Sequence, residues 1–403
     1  MSASTHTPTT VRPFTFEFSD AELDDLRARI AATRWSEPET VPDQSQGTPQ
    51  KTLKELARYW AEDYDWRKVE ARLKELPHFT TEIDGLDIHF IHLRSKHEDA
   101  LPLLVTHGWP GSIIEQLKII EPLVDPTVHG GSAADAFHLV VPSMVGYGFS
   151  GKPAESGWNP QRMAKAWGEL MHRLGYTRYV ASGGDWGAIV TEQMGLQEPE
   201  GLIGFHTNMA NAVPPPIMAA VEGGDPLPAD VSLSPEETEA VEQLRSAYAD
   251  VPYAFQMGTA PQTLAGLVDS PVGLAAFMLD HDWQSLEMIS RSFAGEPEGL
   301  SPDDVLDNIT LFWLTKSAVS AARLYWETGQ AGISFFGAKG VKLPVAVSVF
   351  PTEMYRPPKS WAERAYPNLI HYNKLPKGGH FAAWEQPDYF VDDIRTGLRS
   401  LRQ

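Results

Sequence analysis

Apolar positions change rhythm three times along the chain. Leu23, Leu26 and Ile30 fall at helical spacing behind a capping box, Ser19-Asp-Ala-Glu22, with Phe18 and Leu23 placed as its hydrophobic staple. A helix is predicted from Asp20 to about Thr33. A Pro-, Gln- and Ser-rich loop covers residues 37–50. Helical spacing returns at Leu53, Leu56 and Trp60, which predicts helices over 53–64 and 66–76. Phe79 to Leu93 then reads as two β-like runs around Asp84-Gly85, a strong hairpin signal.

From about Ala100 short apolar runs alternate with amphipathic stretches. Strands are predicted at 101–106, 137–142, 179–181 and 202–207, and helices at 112–123, 161–174 and 188–196. Such alternation predicts a mostly parallel sheet. The rhythm breaks at Asn211-Ala-Val-Pro-Pro-Pro216. From there to about Ser334 only helices and loops are expected. One helix opens at Ser234-Pro-Glu-Glu237; another opens at Ser301-Pro-Asp-Asp304 and runs towards Tyr325. Strand patterning resumes at 343–350 and 370–375, with a helix near Trp361 and a last amphipathic helix over 388–401. The expected organisation is an N-terminal extension (1–97), an α/β core (98–211 and 336–403) and a helical insertion (212–335).

Composition narrows the classes. A hydrophobic content of 42% and a charged content of 21% fit a globular soluble protein. A net charge of −20 argues against nucleic acid or an anionic membrane surface as partner. The absence of Cys excludes disulfides, thiolate catalysis and cysteine-ligated metals. No apolar run approaches the ~18 residues of a membrane span. Residues 1–10 lack a basic start and an apolar core, so they read as a frayed tail and not as a signal peptide. A cytoplasmic protein is expected.

The chemistry centres on Gly183-Gly-Asp185-Trp-Gly187, between a short strand and a helix. Small residues two before and two after a central side chain fit a sharp elbow. Such a turn exposes its central residue and aims backbone N–H groups at the reaction. Here the centre is Asp185. A carboxylate attacks saturated carbon and leaves an ester that water can cleave. A Ser would leave an inert ether. Downstream, Glu353 follows a strand in Phe350-Pro-Thr-Glu353, and His380 lies in the glycine loop of Lys377-Gly-Gly-His380. Glu353 is expected to orient His380, and His380 to activate water. Upstream, His107-Gly-Trp-Pro-Gly111 follows a buried strand and precedes a helix. The backbone N–H of Trp109 and that of Trp186 are candidate oxyanion donors, and loss of one such donor costs ~100–1000-fold. His107 itself is expected to be structural. No HExxH or similar metal spacing is present.

In order, His107-Gly-Trp-Pro110, Gly183-Gly-Asp-Trp-Gly187, Phe350-Pro-Thr-Glu353 and Gly378-Gly-His380 resemble the motifs of the α/β-hydrolase epoxide hydrolases of the microsomal and juvenile-hormone type. The resemblance spans residues 11–401. Thr33-Arg-Trp35 resembles part of the extension that distinguishes this branch and that wraps the core and lid in the family. The resemblance implies an α/β-hydrolase fold with a helical lid, a small-molecule epoxide substrate, a vicinal diol product and a covalent aspartyl ester. It implies no cofactor and no metal. It also points to two lid tyrosines that protonate the opening epoxide, at positions matched by Tyr253 and Tyr325. Membrane-bound members carry an N-terminal anchor, whereas this chain starts directly at the extension; a soluble enzyme with no membrane anchor is expected. Haloalkane dehalogenase, with the same nucleophile and ester, is the rival activity, and a catalytically silent binding protein of this fold is a further alternative. The natural epoxide and the oligomeric state, a homodimer included, are left open.

Overall fold

The computed structural model describes residues 10–249 and 251–403. Among them nine strands form one sheet: β1 (Arg12–Pro13), β2 (His78–Ile83), β3 (Leu86–Leu93), β4 (Leu101–Thr106), β5 (Phe137–Pro142), β6 (Tyr179–Gly183), β7 (Leu202–Thr207), β8 (Val345–Val349) and β9 (Leu369–Lys374). Their order is β1-β2-β3-β5-β4-β6-β7-β8-β9. The first four strands in that order pair antiparallel, and every later pairing is parallel. The apolar-rich runs on β4, β5 and β6 follow from burial on both faces. From β4 the chain crosses to β5 on one side and then to β6 on the other. The loops leaving β4 and β6 therefore diverge, and the crevice between them lies at the carboxyl ends of the strands, where such sheets bind ligands.

Helices cover this sheet. The extension supplies α1 (Asp20–Ala31), α2 (Gln50–Glu62) and α3 (Trp66–Lys74); the core supplies α4 (Leu117–Val124), α5 (Pro160–Arg173) and α6 (Trp186–Gln197). Between β7 and β8 come α7 (Pro215–Gly223), α8 (Pro235–Ala249), α9 (Pro252–Thr259), α10 (Pro271–Leu279), α11 (Trp283–Phe293), α12 (Pro302–Leu314) and α13 (Ala318–Gln330). The chain ends with α14 (Lys359–Ala365), α15 (Ala382–Glu385) and α16 (Pro387–Gly397). The capping boxes at Ser19 and Ser301 both form. No helix among the described residues is long and apolar enough to cross a membrane.

The extension packs on the inserted helices from outside. Trp60 is fully buried, and its Nε1 donates to Thr310 Oγ1 at 2.9 Å. Tyr59 and Tyr64 hydroxyls donate to Asp303 (2.9 Å) and Asp307 (2.8 Å) on the same helix α12.

Three expectations need correction. The helix expected from Ser301 towards Tyr325 is two helices, broken where Lys316 takes φ 52°. Lys152 Nζ donates to the carbonyls of Thr315 and Lys316, satisfying acceptors that the break exposes. The last α-helix stops at Gly397, and Arg399–Arg402 tightens into a 3-10 turn. The helix expected over 112–123 starts as a 3-10 turn, Ile113–Gln116, before α4. Apart from Thr10, the expected tail lies outside the described residues.

Candidate active site

Only Gly184 and Asp185 separate the end of β6 from the start of α6. Asp185 sits at φ 50°, ψ −129°, a conformation that costs a residue with a Cβ on the order of 1–3 kcal/mol. Close approach of α6 to β4 demands the turn: a Cβ on Gly187 would lie 2.0 Å from the Thr106 carbonyl oxygen. The Asp185 side chain meets the loop after β4, where the Trp109 N–H donates to Oδ1 at 2.6 Å. Gly108 makes room for that contact, since a Cβ there would lie 2.1 Å from the same oxygen. The Trp186 N–H is the first amide of α6, one of those a helix leaves without an intrahelical acceptor and at its positive end.

The acid and the imidazole arrive from the far half of the sheet. Glu353 follows β8, and His380 lies in the loop between β9 and α15. His380 Nε2 stands 3.6 Å from Asp185 Oδ2, and its Nδ1 donates to Glu353 Oε1 at 2.8 Å. The same Glu353 oxygen accepts the Met354 N–H at 2.8 Å. Asp185, Glu353 and His380 are all buried. Burial alone would lower the His380 pKa. The charge and hydrogen bond of Glu353 overcome it, with Asp185 and Asp282 behind them, and raise it to about 10. The resting ring is therefore held as an imidazolium beside the Asp185 carboxylate.

Helix α9 brings Tyr253, and α13 brings Tyr325, over Asp185. Their ring centroids are 6.1 Å apart, and Tyr325 packs edge to face on Trp186 at 4.6 Å. Both line a cavity of about 240 Å³ with Asp185, Trp186, Phe335 and Phe336. Burial raises the Tyr253 phenol well above its ordinary range, and the nearby Asp185 charge adds to it; burial and then Tyr253 and Asp185 do the same for Tyr325. Both phenols stay protonated and can donate. A separate void of about 20 Å³, room for one water, is bordered by Asp185 and His380.

All seven residues singled out in the sequence thus converge on one spot. His107 lies beside them but is committed elsewhere. Its Nδ1 donates to Gly108 O, and its Nε2 accepts the Met144 N–H, so it holds the loop, as expected. Sequence reasoning missed two contributors. Glu385 Oε2 and Oε1 accept the Gly379 and Phe381 N–H groups at 3.1 and 2.9 Å, clamping the loop on both sides of His380. His281, between α10 and α11, stacks on His380 with centroids 4.3 Å apart. The adjacent His281-Asp282 pair was the only local signal. Asp185, His281 and His380 also form the group among the described residues that could hold a metal ion, with ligand atoms all within 4.8 Å of one another.

Residues 11–116 match the family described as epoxide hydrolase N terminus. A protein of Stigmatella aurantiaca named "Putative epoxide hydrolase" is 49% identical over 397 residues, covering 97% of this chain and 86% of that one. Epoxide hydrolase 1 of Oryctolagus cuniculus is 36% identical, covering 95% and 88%. Among solved structures, the juvenile hormone epoxide hydrolase of Bombyx mori superposes with a TM-score of 0.83 at 31% identity, covering 98% of this chain and 96% of that one.

Proposed function

The chain belongs to the epoxide hydrolase family, and we propose that it turns an epoxide and water into a vicinal diol through an ester on Asp185. Oδ1 of that carboxylate is engaged by the Trp109 N–H, so Oδ2 is the attacking oxygen. It forms a bond to one epoxide carbon as the C–O bond breaks, and Tyr253 and Tyr325 supply the proton to the departing oxygen. Ring opening makes an alkoxide, a much stronger base than a phenolate, so the transfer runs downhill.

Esterification removes the negative charge of Asp185, one of the anions that keep His380 protonated. The ring gives up its proton more readily and becomes the base for the second step. His380, held by Glu353, takes a proton from water, and the water oxygen attacks the carbonyl carbon of Asp185. The oxyanion forms on Oδ1, between the N–H groups of Trp109 and Trp186. Collapse releases the diol. The inserted helices act as a lid over this chamber, residues 212–335 by our division, with the extension (1–97) outside it and the core in two segments (98–211 and 336–403). A chain without Cys forms no disulfide and needs no oxidising compartment, which suits a cytoplasmic setting.

The observation that carries this reading is the position of Asp185, within 3.6 Å of His380 and sharing one cavity with both tyrosines. The tyrosine pair favours an epoxide over an alkyl halide, which needs no proton. The test is a single turnover in ¹⁸O-water with a styrene-type epoxide. The label is expected in the Asp185 carboxylate and not in the first diol formed. Label in that diol would mean direct attack by water and would overturn the ester.

A further inference from the structure

His281 stacks on His380, with ring centroids 4.3 Å apart, and has no role in the steps above. It is 1% exposed, and Nδ1 donates to Asp282 Oδ2 at 2.9 Å. Asp282 is itself fixed, because its Oδ1 accepts the Ser285 N–H at 2.8 Å as the N-cap of α11. With Nδ1 carrying the proton, Nε2 presents a lone pair. That nitrogen is buried and has no hydrogen-bond partner among the described residues. A buried polar atom left unpaired is costly, so an unpaired one facing a reaction centre calls for a ligand.

Geometry says which ligand. The ligand atoms of Asp185, His281 and His380 lie within 4.8 Å of one another. Three points so spaced leave a position no more than about 2.8 Å from each, which is hydrogen-bond length. A water there can give one proton to His380 Nε2, but an imidazole nitrogen has a single lone pair. The second O–H needs another acceptor, or the water turns freely about the first bond and aims its oxygen at the ester only part of the time.

We propose that His281, oriented by Asp282, is the positioning residue of the hydrolytic water, accepting the O–H that is not transferred. Two carboxylate–imidazole pairs thus meet on one water beside Asp185. Glu353–His380 removes a proton; Asp282–His281 fixes the oxygen against the Asp185 carbonyl. No bond other than those of the ester hydrolysis is made or broken. The inference rests on the ester mechanism proposed above.

The test separates the two half-reactions. In His281→Phe and in Asp282→Asn, ester formation, followed by rapid quench and intact mass, is expected to keep its wild-type rate. In Asp282→Asn the side-chain N–H₂ faces Nδ1 and forces the proton onto Nε2, which closes the acceptor while α11 keeps its cap. Ester hydrolysis is expected to fall about ten- to a hundredfold, the loss of one hydrogen bond in the transition state. At steady state kcat and KM then fall together and kcat/KM holds. His281→Gln, whose side-chain oxygen can accept the same O–H, is expected to recover part of the rate. Melting curves of the three variants check folding. If the ester forms and hydrolyses at the wild-type rate in both Phe and Asn variants, the inference is wrong while the ester mechanism stands. It is equally wrong if hydrolysis slows only in Glu115→Gln, a carboxyl that borders the small void with Asp185 and His380. Absence of any trapped ester in His380→Gln would instead remove the mechanism on which it rests.

Discussion

Replacing Glu353 by Gln keeps the shape of the side chain and removes its charge. In the wild type Glu353 Oε1 and His380 Nδ1 are 2.8 Å apart, both buried. Their charge centres are about 4 Å apart, and at the effective dielectric of ~20 that suits such sites the pair is worth ~4 kcal/mol. That energy stabilises the imidazolium formed when His380 takes a proton from water. Losing it slows ester hydrolysis by ~1000-fold, at ~1.4 kcal/mol per tenfold. The Gln amide also presents N–H to Nδ1, which pushes the ring proton to Nε2 and blocks the base. Attack by Asp185 needs neither effect, so ester formation is expected to stay within about tenfold of wild type. Rapid-quench mass spectrometry follows both phases: the +substrate species is expected to rise at the normal rate and persist. Hydrolysis within tenfold of the wild-type rate would refute the claim that Glu353 holds the charged ring.

Three further outcomes are expected. Tyr253→Phe and Tyr325→Phe each slow ester formation by ~100-fold, the usual worth of a positioned general acid, and the double variant nearly abolishes it; unchanged single-turnover rates would exclude the pair as proton donors. Gly108→Ala drives a methyl into the Asp185 carboxylate, breaks its contact with Trp109 and lowers kcat/KM by ~100–1000-fold with the circular dichroism spectrum intact; wild-type activity there would mean that the contact is dispensable. The folded pKa of His380 lies above its unfolded value, so the native state binds the proton more tightly. Its contribution to stability is complete below pH ~6.5 and is lost as pH climbs towards about 10. The melting-temperature advantage of wild type over His380→Gln is expected to shrink across that window, and an advantage that grows with pH would contradict the sign.

The strands at 101–106, 137–142 and 202–207 were legible to the residue, because burial on both faces writes a short run rich in apolar residues. The elbow was legible because the close approaches at 183–187 admit little besides glycine. The break at Lys316 was not. Leu314-Thr-Lys-Ser317 contains neither Gly nor Pro, and the group that completes it, Lys152, is 164 residues away. His281 was hidden for the same reason. A histidine in a loop between two helices carries no mark until the fold stacks it on His380. Local chemistry announces turns and caps; long-range partners announce themselves only in three dimensions.

The bonds from Trp60, Tyr59 and Tyr64 all end on one helix, α12. From that helix Asn308 Oδ1 accepts the Ser112 hydroxyl and its Nδ2 donates to the Pro110 carbonyl, both at 2.7 Å. The extension thus braces, through one intermediary, the loop that presents the Trp109 N–H to Asp185. Damage to residues far out in the extension is therefore expected to blunt the chemistry and not merely loosen the fold.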